Sequence, residues 1–119
     1  MKRETAKRLL DARNACVEIE SFTEGKGITA IWRDRGLQLI LHKLPEIVGE
    51  ALNQAHRNDQ TLDSSIPHLR RIVNMRNQIT HGYDSVDYAI VWQVATQQVP
   101  PLRRALDALL TKAPPEPGN

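Results

Sequence analysis

Apolar residues along this chain recur at intervals of three and four almost from end to end, and nowhere do they alternate as they would in a half-buried strand. Leu9, Ala12, Cys16 and Ile19, widened by Ala15 and Phe22, predict an amphipathic helix from Glu4 to about Phe22. Its other face carries Lys7, Arg8, Asp11, Glu18 and Glu20, and Gly25-Lys26-Gly27 supplies the stop. A longer pattern starts near Ile28 to Ile31 and continues through Leu37, Ile40, Leu41, Leu44, Ile47, Val48, Ala51, Leu52 and Ala55. Pro45 lies inside it and cannot donate to the carbonyl of Leu41, so a kink or a division into two segments is expected there, with Gly36 loosening the first part.

The polar run from His56 to Ser65 predicts a connecting loop. A third helix is expected from about Ile66, with caps available at Asp63 to Ser65 and Pro67 in its first turn, ending near His81 where Gly82 can close it. After the turn Gly82 to Ser85, capped by Asp84 or Ser85, Ile90, Val91, Val94 and Ala95 restore the helical period to about Gln98. Pro100-Pro101 should interrupt it, and Leu102, Ala105, Leu106, Leu109 and Leu110 then mark a short fifth helix ending near Lys112. The predicted fold is all-α, an up-and-down four-helix bundle with a short fifth C-terminal helix. Residues 1–112 are expected to form one domain and the proline-rich residues 113–119 a disordered tail.

Composition narrows the class without naming a function. A chain of 119 residues suits one core, and an aromatic content of 4% favours helices over sheet. The balance of 16 Lys+Arg against 14 Asp+Glu is too even to announce a nucleic-acid protein by charge alone. Cys16 is the single cysteine, consistent with a buried thiol in a reducing compartment. The charged start Met1 to Thr5 lacks the apolar run of a signal peptide, and no stretch reaches the ~18 apolar residues of a membrane span, so a soluble, cytoplasmic protein is expected.

Most chemistry-bearing residues fall into no constellation. His42, His56 and His68 lack ligand spacing, no Glu-x-x-His pair is present, and neither a metal nor another cofactor is called for. No phosphate loop follows a strand, and Ser64-Ser65 has no activating context. Arg70-Arg71 and Arg103-Arg104 suit solvated helix faces. Trp32 and Trp92 lack the closely spaced aromatic neighbours of a base-stacking platform, so core or interface packing is expected for both.

The stretch Arg76-Asn77-Gln78-Ile79-Thr80-His81-Gly82-Tyr83 is different. On a regular helix Leu69, Ile72, Arg76, Ile79 and Tyr83 fall within roughly 80° of one another, which sets a guanidinium in an apolar stripe. A charge there must be paired or functional. Glu50, close to the apolar face of the second helix, is a candidate charge partner, or else a simple boundary residue. Arg76 and His81 lie about 140° apart on an ideal helix, so only a rewound last turn or a second copy of the chain could bring them together. His81 at a helix C-terminus would feel the negative end of the dipole. An imidazole that exchanges protons near neutrality beside a permanent guanidinium is what metal-independent RNA cleavage requires.

The order of features resembles the HEPN superfamily, and within it the HepT-like toxins of HepT/MntA toxin-antitoxin pairs. That family's signature of arginine, a polar residue, three further positions, histidine, any residue and tyrosine is matched by Arg76, Asn77, His81 and Tyr83. Ile47-Val48-Gly49-Glu50-Ala51 is similar to its second-helix segment, Ile66-Pro67 to the lead-in of its third, and Val86-Asp87 with Val91-Trp92 to its fourth. His68 departs from the pattern, since relatives often carry tryptophan after Ile-Pro. The resemblance implies a homodimeric helical bundle acting as a metal-independent endoribonuclease toxin on RNA, with Arg76 and His81 catalytic and Asn77 supporting them. It also implies an MntA-like nucleotidyltransferase antitoxin that transfers AMP to Tyr83. A non-catalytic helical binding or regulatory subunit of a nucleotidyltransferase is the other reading.

Overall fold

The computed structural model describes residues 1–74 and 86–112, and these are helical almost throughout, giving the all-α, HEPN-like architecture expected. Helix α1 spans Arg3–Thr23, close to the predicted limits. Glu4 in its first turn pairs with Arg8 one turn on, at 3.0 Å. At the other end Gly25 adopts φ +71°, the left-handed conformation that closes a helix, and the Lys26 ammonium donates to the Phe22 carbonyl at 2.8 Å.

The second predicted helix does divide, at Asp34 and not at Pro45. A short α2, Thr29–Arg33, precedes α3, Arg35–Asn58. Asp34 is the N-cap: it leaves helical geometry at φ −120°, and its Oδ1 accepts from the Leu37 amide at 3.0 Å. Gln38 ties the two helices together by donating to the Ile31 carbonyl at 2.9 Å. Helix α3 runs unbroken through Pro45 because Leu41, Leu44, Val48 and Leu52 on both sides of it are buried in the core. One missing backbone bond does not outweigh that packing.

The predicted loop and third helix are redrawn. Helix α3 absorbs the first polar residues, and His56 meets Asp63 at 3.1 Å across the connection. Leu62–Ser65 form a single helical turn, α4, while Ile66 is extended at φ −119°, as a residue before proline prefers. Both Leu62 and Ile66 are buried, which draws the connection down onto the core. Pro67 therefore stands outside the helix. The next helix, α5, spans Leu69–Val73 and starts after His68, whose φ of 60° is the one positive value at a non-glycine residue among those described.

The predicted fourth and fifth helices are one continuous run. Helix α6, Tyr88–Gln93, passes through a π turn, Val94–Gln98, into α7, Val99–Lys112. The prolines at 100 and 101 cannot donate, and their rings would crowd carbonyls one turn back. The wider π turn absorbs the conflict, with the Val99 amide reaching back to Val94. Helix α1 packs chiefly on α3 and, on its other flank, on α7. The core is built where these helices and α6 meet, from Leu9, Cys16 and Ile19 of α1, from Leu41, Val48 and Leu52 of α3, from Val91 of α6 and from Val99 and Leu106 of α7. Among the described residues no helix is long and apolar enough to cross a membrane.

Candidate active site

Arg76, Asn77, His81 and Tyr83 lie outside the described residues, as do the caps expected at Asp84 and Ser85 and the tail 113–119. What the structure does define is the framework at both ends of the stretch. Upstream, α5 ends at Asn74, whose amide donates back to Arg70 and Ile72. Leu69 and Ile72 are its buried anchors. The docking of α5 on α3 depends on Gly49: a Cβ there would stand 3.1 Å from the Val73 carbonyl oxygen, tighter than ordinary van der Waals contact. Glycine thus lets the last turn of α5 lie directly on the backbone of α3, three residues before Arg76.

Downstream, the chain enters α6 through Asp87. Its carboxylate accepts from the amides of Ala89 at 3.0 Å and Ile90 at 3.3 Å, so the cap lies beyond the Asp84 and Ser85 positions. Val91 and Trp92 are buried, which is the core role expected of Trp92. Trp32 differs. It stands on α2 with 55% of its surface exposed, and its ring meets that of Tyr88 edge to face, centroids 6.0 Å apart. Arg35 Nη1 donates to the Tyr88 hydroxyl at 3.2 Å, so the start of α3, the end of α2 and the start of α6 are joined at one corner. A pairing between residues so distant along the chain has no signal in local spacing. The Asp34 cap does have one, an N-cap residue type directly ahead of a periodic apolar run.

Glu50 is exposed and accepts from Gln54 Nε2 at 3.0 Å. It lines a groove of about 490 Å³ between α1 and α3 together with Arg8, Asp11 and Lys43. Its neighbour Gly49 faces α5, and one helical residue turns the direction by about 100°. The pairing of Glu50 with Arg76 itself falls outside the described residues.

The basic pairs have separate fates. Arg103 is held by Glu20 at 2.8 Å and by Asp107 at 3.1 Å, and Arg13 reaches the same Asp107 at 2.7 Å. This network locks α1 to α7 and commits Arg103 to structure. The hydrogen bond from Arg13, then that from Arg103, holds the Asp107 carboxyl below its usual range. On α5, Arg70 and Arg71 are exposed. Arg71 lines a second groove of about 270 Å³ with His68, Gln97 and Gln98 over an apolar floor that includes Ile72 and Leu102. Among the described residues no group of three or more His, Cys, Asp or Glu could hold a metal ion.

A family model described as "Ribonuclease HepT-like" matches residues 12–109. That span includes the whole Arg76–Tyr83 stretch and both of its supports. A protein of Thermococcus cleftensis named "Probable ribonuclease HepT" is 28% identical over 109 residues, 92% of this chain and 98% of that protein. A provisionally named RNase of Methanocaldococcus jannaschii is 22% identical over 92% of this chain and 93% of its own length. A third relative, a provisionally named RNase of Caldanaerobacter subterraneus, is 30% identical over 56% of this chain and 59% of that protein. No solved structure matches the chain.

Proposed function

The chain belongs to the HepT-like ribonuclease family, and from that premise we propose that it is an endoribonuclease whose catalytic residues are Arg76 and His81. The observation that carries this reading is the coincidence of the family match with the Arg76, Asn77, His81, Tyr83 pattern, on a chain that spans nearly the full length of its archaeal relatives. In the reaction, His81 takes the proton of a ribose 2′-hydroxyl and the freed oxygen attacks the adjacent phosphorus. Arg76 stabilises the charge that builds on the phosphorane-like transition state. The bond from phosphorus to the 5′ oxygen then breaks, and that oxygen takes up a proton, leaving a 2′,3′-cyclic phosphate and a 5′-hydroxyl. Asn77 supports the pair. The chemistry needs no metal, because the two side chains supply both proton transfer and charge stabilisation.

Residues 1–112 act as one helical domain, and two copies pair so that each contributes an Arg76/His81 set to one cleft. The protein acts as the toxin of a toxin-antitoxin pair. A nucleotidyltransferase antitoxin silences it by moving AMP from ATP to the Tyr83 hydroxyl with release of pyrophosphate, filling the cleft with negative charge where an RNA phosphate must enter. Purified, unmodified protein should cut RNA in the presence of a chelator, and His81→Ala and Arg76→Ala should each lower the rate at least about 100-fold. Intact RNA after incubation with the wild-type protein would refute the nuclease and leave the non-catalytic subunit reading. Incubation with the antitoxin and ATP should add AMP to the peptide containing Tyr83, and Tyr83→Phe should stay active under the same treatment.

A further inference from the structure

Trp32 is the most exposed large hydrophobic residue among those described, at 55%. A ring of that size left in water is informative where a scattered leucine would not be. Its position is fixed: Ile31, the preceding residue, is the buried anchor of α2, which turns Trp32 outward. Tyr88 stands edge to face against the indole and is itself held by Arg35 and by the Asp87 cap at the head of α6. The indole is therefore steadied from one side and open on another.

The charges around it point one way. Arg33 and Arg35 follow Trp32 along the chain, both exposed, and neither forms an ion pair among the described residues. Asp34, between the two arginines in sequence, and Asp87, next to Tyr88, are turned into helix N-termini, where the backbone amides of Leu37, Ala89 and Ile90 engage them. An exposed indole whose stacking partner accepts a hydrogen bond from Arg35, with exposed Arg33 next to it in sequence, suits a base on its phosphate backbone. An apolar protein surface would instead have to desolvate both guanidinium groups. His81 and Tyr88 are seven residues apart, so chain connectivity limits their separation to at most about 25 Å.

We propose that Trp32, steadied by Tyr88, is a stacking platform for an unpaired base of the RNA substrate, with Arg33 and Arg35 receiving its phosphates. The identity of the ligand rests on the ribonuclease reading, but the platform is tested apart from cleavage.

The probe is a single-stranded 2′-O-methyl RNA oligonucleotide, which lacks the attacking hydroxyl and is not cut. In a Trp92→Phe background Trp32 is the only indole, and its fluorescence should be quenched on binding. Anisotropy of the labelled oligonucleotide should show Kd raised about tenfold in Trp32→Ala and nearly unchanged in Trp32→Phe. With cleavable RNA the same Trp32→Ala variant should show KM raised about tenfold with kcat within about twofold of wild type. Wild-type affinity and KM in Trp32→Ala, in a preparation that cuts RNA normally, would overturn the platform and leave the nuclease intact. A change in oligomeric state of Trp32→Ala by sedimentation, with RNA affinity preserved, would overturn it in favour of a protein interface. Trp32-dependent oligonucleotide binding by a wild-type protein that fails to cleave would keep the platform and sink the nuclease.

Discussion

Cys16 has a side chain that burial renders inert. The thiol is fully enclosed on α1, and desolvation, followed by the charge of Glu20 one turn on, pushes its pKa from 9.0 up to about 12. Only the thiolate is a nucleophile, so the native protein should react with a thiol reagent no faster than it unfolds. The same shift makes a stability prediction. Between about pH 9 and 12 the unfolded chain loses the Cys16 proton while the folded chain keeps it, so stability falls as pH rises, with a slope approaching about 1.4 kcal/mol per pH unit. Below that window the contribution is fully present. Denaturant unfolding at a series of alkaline pH values should show this loss in the wild type and a flatter profile in Cys16→Ala. Equal slopes in the two proteins would mean that Cys16 is not shielded.

Among the elements, α5 and α3 meet at a single permissive residue. Replacing Gly49 by alanine adds a good helix former, worth about 1 kcal/mol in a helix interior, but sets its Cβ 3.1 Å from the Val73 carbonyl. The neighbour is backbone, so α5 must give way by a few tenths of an ångström. The two effects oppose each other in stability and do not oppose each other in position. Gly49→Ala should therefore melt within a few degrees of wild type while kcat/KM for RNA falls about tenfold, because the displaced turn leads directly to Arg76. A variant equal to wild type in both measurements would show that the end of α5 does not position Arg76, the proposed catalytic arginine.

Across the whole molecule, the Glu20, Arg103, Asp107 and Arg13 network is what holds the last helix to the first. Its side chains are about one-third exposed, so each bond is screened and its contribution is small. The sign with pH is nevertheless defined. The Asp107 carboxyl is depressed in the folded state, so its contribution is present above the unfolded carboxylate range and is lost as pH falls through the lower folded value. Asp107→Asn should lower the melting temperature by at most a few degrees at neutral pH. It should also lose less stability than wild type on acidification below about pH 4, as read by thermal melts. An acid profile identical to wild type would show that other carboxylates govern acid unfolding.

The local pattern determined a great deal. Apolar residues at intervals of three and four located α1 to within a residue or two of Arg3–Thr23, and they picked out the face of α3 that Leu41, Val48 and Leu52 bury. The pattern Arg76, Asn77, His81, Tyr83, taken together with the flanking segments around Gly49, Ile66-Pro67 and Val91-Trp92, carried the resemblance to the family that matches residues 12–109. Periodicity reports which side of a helix is buried, and that information is carried by neighbours in sequence. It does not report what lies opposite. Only the tertiary structure decided that Pro45 sits in an unbroken helix while the chain divides at Asp34, because the effect of a lost hydrogen bond depends on how firmly the flanking turns are packed. Only it joined the predicted fourth and fifth helices, by opening a π turn ahead of two prolines. And only it set Tyr88 against Trp32 and Arg103 against Glu20, because contacts between distant segments are settled by which faces the whole core leaves side by side.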